Sequence, residues 1–253
     1  MARLLINGIE STLSQQEFSS FHGHSVFTTL RSQNSLPHRW ELHWQRLVKH
    51  AQFFDFVIPK EDLLLKLISE ELAPTKQLQK IRIIISGKKF ALSFEDLLLQ
   101  SPDIYQGVSI MKSSWQVHPQ LYSYKTGNYL AYALALKQAQ TAGVFEGLLL
   151  NHDNYVVDGA RTSIIYYDGI TLCAVAGGLD GCERQAVLEY ACNIGLEVSS
   201  KYLRFEELNG QILLANSLMG LVPVNQVNEQ WLIDLIDRFR PHQDQKSLDL
   251  DDE

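Results

Sequence analysis

Lys125 is the residue of this chain whose type and surroundings most favour covalent chemistry. It lies in S-Y-K-T-G-N-Y-L (123–130), where its neighbours are small, polar or aromatic and carry no charge. A lysine in a partly desolvated site loses its proton more easily and can attack an aldehyde to form an imine. The alternative that this segment leaves open is a solvated lysine beside a helix start.

Two other segments contain groups that could bind a phosphate. In G-L-D-G-C-E-R-Q-A-V-L (178–188) a turn leads into a predicted helix, and the amides of Cys182 and Glu183 could receive an anion there. The alternative is an ordinary loop in which Asp180 caps the helix. Arg46, in H-W-Q-R-L (43–47), could grip a phosphate with its guanidinium or could be a surface arginine.

Other common chemistries lack their motifs. The eight histidines form no H-E-x-x-H pattern, so no metal site is predicted. No G-x-S-x-G elbow is present, since G-H-S at 23–25 lacks the second glycine. The cysteines Cys173, Cys182 and Cys192 are odd in number and lack C-x-x-C spacing, which predicts reduced thiols.

The surrounding pattern predicts the elements that must position these residues. Lys125 precedes a helix predicted at 128–140, and the turn at 178–181 precedes another at 183–194. An interdomain crossing is predicted near 105–118, and the charged end D-Q-K-S-L-D-L-D-D-E (244–253) is predicted to be loose. The remaining elements are a strand at 3–9 turning at Asn7-Gly8, a strand at 26–31, helices at 36–54 and 61–72, a strand at 80–86, a meander over 147–176, and strands at 211–215 and 221–224.

Composition excludes several classes of partner. The chain has 253 residues and a net charge of −7, with no block of Lys and Arg, so neither nucleic acid nor an anionic membrane surface is an expected partner. No apolar run reaches the length of a membrane span, and the start MARLLINGIE is too short for a signal peptide. A cytoplasmic protein is expected.

The order of several short motifs resembles the class IV aminotransferase family, the fold-type IV enzymes that use pyridoxal phosphate (PLP). The resemblance extends over nearly the whole chain. Its motifs are LING near the start, H-x-x-R-L, K-T-x-N-Y-L, an acid about thirty residues later, L-x-G-x-x-R, and N-S-L-M-G-L-V-P-V (216–224). The last segment looks most like the 4-amino-4-deoxychorismate lyases of this family.

The resemblance implies a mixed α/β (α+β) fold with two domains and PLP in the cleft between them. A smaller N-terminal α/β domain would span 1–107, an interdomain segment 108–118, and a larger PLP-binding domain with a β-barrel-like core 119–253. Lys125 would form the imine and Arg46 would clamp the phosphate. Asp158 would face the pyridine nitrogen, the turn Gly181-Cys182-Glu183 would cradle the phosphate, and Asn216-Ser217 would complete the phosphate side.

The sequence also departs from the family pattern. The usual Glu is Asp158 and the usual Asn five residues later is Ser163. Because a carboxylate beside a phosphate is unfavourable, Glu183 is predicted to face solvent. For the carboxylates of the substrate the candidates are His24, Arg31 and Arg161, each of which could equally be structural.

The implied reaction is a lyase reaction on a small-molecule amine, 4-amino-4-deoxychorismate, which would yield pyruvate and 4-aminobenzoate for folate synthesis. The alternatives are a branched-chain or D-amino acid aminotransferase of the same fold, and a degenerate member that binds PLP without catalysis. A homodimer is expected from the family.

Overall fold

The computed structural model describes residues 3–10, 23–72 and 78–242. The tail predicted to be loose at 244–253 lies outside these ranges. The contacts of the chain divide it into two compact units, one containing residues 27–99 and the earlier strands, the other containing residues 22–26 and 100–240. The result is a mixed α/β protein with a smaller N-terminal and a larger C-terminal unit.

Among the described residues, a six-stranded sheet and two α-helices form the first unit. The sheet order is β2-β1-β6-β5-β3-β4. Its elements are β1 (Arg3–Ile6), β2 (Ile9–Glu10), β3 (Val26–Gln33), β4 (Leu36–Pro37), α1 (Trp40–Phe53), α2 (Glu61–Leu72), β5 (Gln79–Ser86) and β6 (Lys89–Asp96).

The apolar patterns of the first unit are buried as the sequence predicts. Strand β5 alternates between buried and half-buried residues, and α2 buries Leu64, Ile68 and Leu72, which recur at helical spacing. Asn7 and Gly8 both have positive φ in the turn between β1 and β2, as a tight hairpin requires.

Helix α1 begins later than predicted. The apolar pattern indicated a helix from Leu36, but Leu36 and Pro37 form the short strand β4, and Arg39 has a left-handed φ of 53°. Proline disfavours helical backbone at Leu36, and the left-handed backbone of Arg39 cannot belong to a right-handed helix, so the helix begins only at Trp40.

Two sheets and three helices form the second unit. The sheet orders are β12-β11-β10-β14-β15 and β13-β9-β8-β7. Its elements are β7 (Ile110–Gln116), α3 (Leu130–Thr141), β8 (Glu146–Leu150), β9 (Tyr155–Gly159), β10 (Ser163–Tyr167), β11 (Leu172–Val175), α4 (Cys182–Asn193), β12 (Val198–Lys201), β13 (Leu203–Arg204), β14 (Gln211–Asn216), β15 (Gly220–Val224) and α5 (Gln230–Phe239).

The two sheets of the second unit share one core and meet at an edge. Leu148 and Val156 of one sheet belong to the same buried cluster as Ile164 and Leu214 of the other. Just before β7, Val108 donates its amide to Pro223 O at 2.9 Å and accepts from Asn225 N at 3.0 Å. This backbone link between β15 and the start of β7 makes the core barrel-like, as the resemblance implies.

The segment predicted as an interdomain crossing contains regular structure. The division between the units falls after Leu99, ahead of the predicted 108–118. Strand β7 within that segment pairs in parallel with β8. This strand lies at the edge of its sheet and has one buried residue. Apolar and polar residues therefore do not alternate along it, and the sequence pattern did not predict it.

Candidate active site

Lys125 lies in the loop that connects β7 to α3, five residues before the helix, in agreement with the prediction. Its Nζ donates a hydrogen bond to Tyr129 Oη at 3.2 Å and lies 4.8 Å from the centroid of the same ring. Tyr129 stacks on Tyr132 with centroids 4.1 Å apart. The half-buried lysine is therefore held beside an aromatic pair, an environment less polar than water.

A short N-terminal segment supports the lysine loop. Gly127 donates its amide to Ser25 O at 2.8 Å, and Val26 forms a β-bridge with Thr126. The structure thus places His24, a predicted substrate candidate, in a segment bound directly to the loop of Lys125, with its side chain exposed.

Asp158 is a buried carboxylate near the end of β9. It is 3% exposed, and its Oδ1 has no hydrogen-bond partner among the residues that the structure describes. Burial raises the pKa of Asp158, while the positive charges of Arg184 and Lys125 and a hydrogen bond from Ser163 act in the opposite direction. Asp158 and Lys125 therefore lie within one electrostatic environment.

The turn before α4 is packed tightly against the strand that carries Asp158. A Cβ on Gly178 would collide with Val157 O, so only glycine allows this approach. Gly181 lies against the Ser163 side chain and is the N-cap residue of α4, with no side-chain cap. Asp180, the predicted alternative cap, is instead 3.4 Å from the Arg184 guanidinium.

Arg184 fixes this turn from within. Its Nη1 donates to Val175 O at 2.8 Å and its Nη2 to Leu179 O at 3.0 Å. The arginine of L-x-G-x-x-R therefore holds the backbone of the predicted phosphate cradle, a role that sequence analysis did not assign. The place of Arg184 at the end of that motif was the one sequence feature that could have indicated this role.

The prediction that Glu183 faces solvent is wrong. Glu183 is 1% exposed, and its neighbours Cys182 and Arg184 are also buried. The first three residues of α4 are thus all buried, so the start of this helix packs against the interior of the protein. The three cysteines are free thiols, with Cys173 and Cys182 buried and Cys192 exposed.

The hairpin between β14 and β15 brings Asn216 beside the start of β10. Ala215 pairs with Ser163. Asn216 donates its Nδ2 to Arg161 O and accepts from Leu218 N at 2.8 Å. These bonds use both ends of the amide to shape the turn that contains Ser217, so Asn216 orders the backbone at the predicted phosphate side.

Arg161 is engaged within the protein fold. Its Nη2 donates to Phe145 O at 3.0 Å, its guanidinium stacks on the Phe145 ring, and its Nε is 3.6 Å from Glu146 Oε2. Thr162 donates to the same carboxylate oxygen at 3.1 Å. Glu146 is a fully buried acid close to the turn after Asp158, and no sequence motif had indicated it.

Glu146 is expected to make the stability of the apoprotein fall with pH. Burial raises its pKa from 4.5 to about 7 despite the opposing charge of Arg161. Between these values the folded protein keeps a proton that the unfolded chain has lost, so the free energy of unfolding decreases as pH rises, by at most about 3 kcal/mol. Urea unfolding at pH 5 and pH 7.5 measures the total decrease, and Glu146→Gln should make it smaller; the raised pKa of Asp158 accounts for the decrease that remains.

The matched control is Glu189→Gln, which alters an exposed acid of α4 and should keep the decrease of the parent protein. If Glu146→Gln kept it too, Glu146 would not be the titrating group.

Arg46 and Arg31 belong to the first unit and are both buried. Arg46 donates its Nη2 to Thr28 Oγ1 at 2.7 Å, and Arg31 Nη2 lies 2.9 Å from His38 Nε2. Burial, followed by the charges of Arg31 and Arg39, lowers the pKa of His38 to about 3, so this imidazole is neutral. The roles assigned to Arg46 and Arg31 remain predictions.

The described residues contain neither a candidate membrane span nor a candidate metal site. No helix there is long and apolar enough to cross a membrane. Within the same ranges, no three His, Cys, Asp or Glu side chains cluster in a way that could hold a metal ion.

The fold and this constellation define an enzyme of the PLP-dependent fold-type IV class. The amino-transferase class IV family model matches residues 25–227, and the chain belongs to that family. Its cofactor is PLP.

Solved and curated proteins give closer comparisons. The crystal structure of a protein provisionally assigned as 4-amino-4-deoxychorismate lyase is 37% identical, with a TM-score of 0.86, and the match covers 94% of this chain and 98% of that one. The 4-amino-4-deoxychorismate lyase of Pseudomonas aeruginosa is 23% identical, with a TM-score of 0.78 and 93% and 97% coverage. The "Probable branched-chain-amino-acid aminotransferase" of Rickettsia bellii (strain RML369-C) is 26% identical over 220 residues, covering 78% of this chain and 75% of that protein.

The residues of the second unit fit PLP. The buried Oδ1 of Asp158 has no partner within the described protein and can bond to a pyridine nitrogen. Lys125 supplies an amine in the same electrostatic environment. The uncapped start of α4 offers backbone amides suited to a phosphate.

Proposed function

We propose that this enzyme is a lyase that converts 4-amino-4-deoxychorismate into pyruvate and 4-aminobenzoate. The observation that carries the proposal is the 37% identity, across 94% of this chain, to the protein provisionally assigned to that reaction. The segment 216–224, which resembles the lyases of the family, supports the same choice. We also propose that the enzyme is a homodimer and that it is located in the cytoplasm.

The residues proposed to hold the cofactor lie at several positions along the chain. Lys125 would bind the aldehyde carbon of PLP, and Asp158 would bond to its ring nitrogen. The turn Gly181-Cys182-Glu183 would bind its phosphate. Arg46 and the turn Asn216-Ser217 add to the phosphate side. When bound, PLP withdraws electrons from the carbon that carries the amine of the substrate.

Lys125 is proposed to move the protons of the reaction. Its amine removes the proton from the ring carbon that bears the nitrogen, and the bond between the ring and the enolpyruvyl oxygen breaks as the ring becomes aromatic. The same amine returns a proton to the methylene carbon of the enolpyruvyl group, which leaves as pyruvate. Tyr129 Oη, 3.2 Å from Nζ, accepts a hydrogen bond that orients the amine between these two positions.

Pyruvate release tests the proposal directly. The purified PLP-loaded enzyme is incubated with 4-amino-4-deoxychorismate, and pyruvate is measured with lactate dehydrogenase while 4-aminobenzoate is separated by chromatography. Equal amounts of both products are expected. A PLP-loaded protein that forms neither product would overturn the lyase assignment.

An aminotransferase is the second candidate, since the Rickettsia bellii protein carries that name at 26% identity. This reaction converts the cofactor to its pyridoxamine form with an amino acid donor, so the visible absorbance changes when donor is added. Under the lyase proposal, branched-chain and D-amino acids leave the spectrum unchanged. The third candidate, a PLP-binding protein without catalysis, predicts neither product formation nor spectral conversion.

A further inference from the structure

Three buried polar side chains form a connected group in the first unit. Thr28 lies on β3, and His43 and Arg46 lie one turn apart on α1. Thr28 and His43 are each 1% exposed and Arg46 is 9% exposed. Burying such groups costs free energy unless hydrogen bonds compensate for the lost water. The apolar residues around them in the chain, Val26, Leu30, Leu47 and Ala51, are buried as well. The hydrogen bonds among the three polar groups are therefore what makes their burial tolerable.

The chemistry of the three groups sets the direction of their hydrogen bonds. Arg46 can only donate, so its Nη2, at 2.7 Å, donates to Thr28 Oγ1. Thr28 Oγ1 also forms a hydrogen bond with His43 Nδ1, at 2.7 Å. Arg46 Nη2 lies 3.5 Å from the same nitrogen. Thr28 therefore contacts both other side chains, and the three groups form one connected polar cluster.

This arrangement fixes the guanidinium of Arg46 at one end. A guanidinium is planar, so anchoring one Nη through Thr28 also sets the directions in which the remaining N–H groups point. An arginine held in advance loses less conformational entropy when it binds a phosphate.

We infer that Thr28 and His43 are positioning residues, which hold Arg46 in the orientation that binds the phosphate of the cofactor. The inference rests on the phosphate role proposed for Arg46 and adds the residues on which that role depends. Neither Thr28 nor His43 needs to touch the cofactor.

Comparing two ligands that differ only in the phosphate tests the inference. Dissociation constants of PLP and of pyridoxal, which lacks the phosphate, are measured by absorbance titration of the apoprotein. Thr28→Val keeps the shape of the side chain and removes the hydroxyl. We expect PLP to bind about tenfold more weakly, as for the loss of one bond to a charged group, with pyridoxal binding unchanged. Thr28→Ser keeps the hydroxyl and should restore PLP binding.

A double-mutant cycle separates this inference from the role of Arg46 itself. Arg46→Met should weaken PLP but not pyridoxal, and Thr28→Val should add nothing in that background because the two act together. If Arg46→Met left PLP binding unchanged, the phosphate role of Arg46 would be wrong. If Arg46→Met weakened PLP binding but Thr28→Val did not, the positioning role alone would be overturned.

A second variant covers the case in which Thr28→Val does not fold. His43→Leu removes the hydrogen bond between Nδ1 and Thr28 and should cause the same loss of PLP binding, without effect on pyridoxal. Equal weakening of both ligands in the folded variants would indicate a general structural role and would contradict the inference.

Discussion

Lys125→Ala is expected to lower the rate of pyruvate release by up to about 10⁴-fold, because it removes the group that carries the protons. The same change should abolish the yellow absorbance of the enzyme, since it removes the amine whose charge acts on the buried Asp158. Stopped-flow or steady-state assays of pyruvate measure the first effect, and the visible spectrum under excess PLP measures the second.

Two controls accompany the Lys125 variant. Lys137→Ala removes another lysine of the second unit, on helix α3, and should leave the rate and the spectrum unchanged. Adding methylamine to Lys125→Ala should restore part of the rate, because a small amine can serve as the missing base. Retention of the yellow absorbance in Lys125→Ala would refute the assignment of Lys125 as the cofactor lysine.

Asp158→Asn is expected to reduce turnover by about 10²- to 10³-fold, a typical cost of removing one electrostatic group from an active site. The amide keeps the shape of the side chain but lacks the negative charge that favours a protonated ring nitrogen. The side chain has little contact with water and its Oδ1 has no protein partner, so solvent cannot replace that charge. The turnover number and the affinity for PLP are measured separately.

Asp158→Glu is the matched comparison, because it restores the usual residue of the family. An elimination that ends in an aromatic ring has a strong driving force and tolerates a weaker withdrawal of electrons, so we expect its rate to stay close to that of the parent enzyme. A hundredfold increase in the lyase rate would show that Asp158 impairs the enzyme. An unchanged rate in Asp158→Asn would mean that the charge of this residue has no role in the reaction.

Sequence patterns predicted most elements where the apolar period was strong. Helix α2 has the predicted bounds, and β5, α3 and α4 differ from prediction by one or two residues at either end. Helix α5 was overlooked, although Leu232, Leu235, Ile236 and Phe239 show the i, i+3, i+4, i+7 spacing. Strand β7 gave no such signal, because its parallel pairing with β8 depends on a neighbour distant in sequence.

The amino-acid sequence by itself determined the chemical types available to this protein and their order along the chain. Four features are identifiable from the sequence alone: the segment around Lys125, the acid at 158, the turn at 178–181 and the motif ending at Arg184. The helices and turns around these residues follow from the spacing of apolar residues and from the positions of glycines. Both signals depend only on residues that are close together in the chain.

Only the tertiary structure decided how these groups are paired and buried. The burial of Asp158 and Glu183 arises from segments that the sequence separates, as does the contact of Lys125 with its supporting segment at 23–26. The orientation of Arg46 through Thr28 and His43 likewise needs a strand and a helix to meet. Burial and hydrogen-bond direction are properties of the packed chain, because both depend on which distant groups replace water.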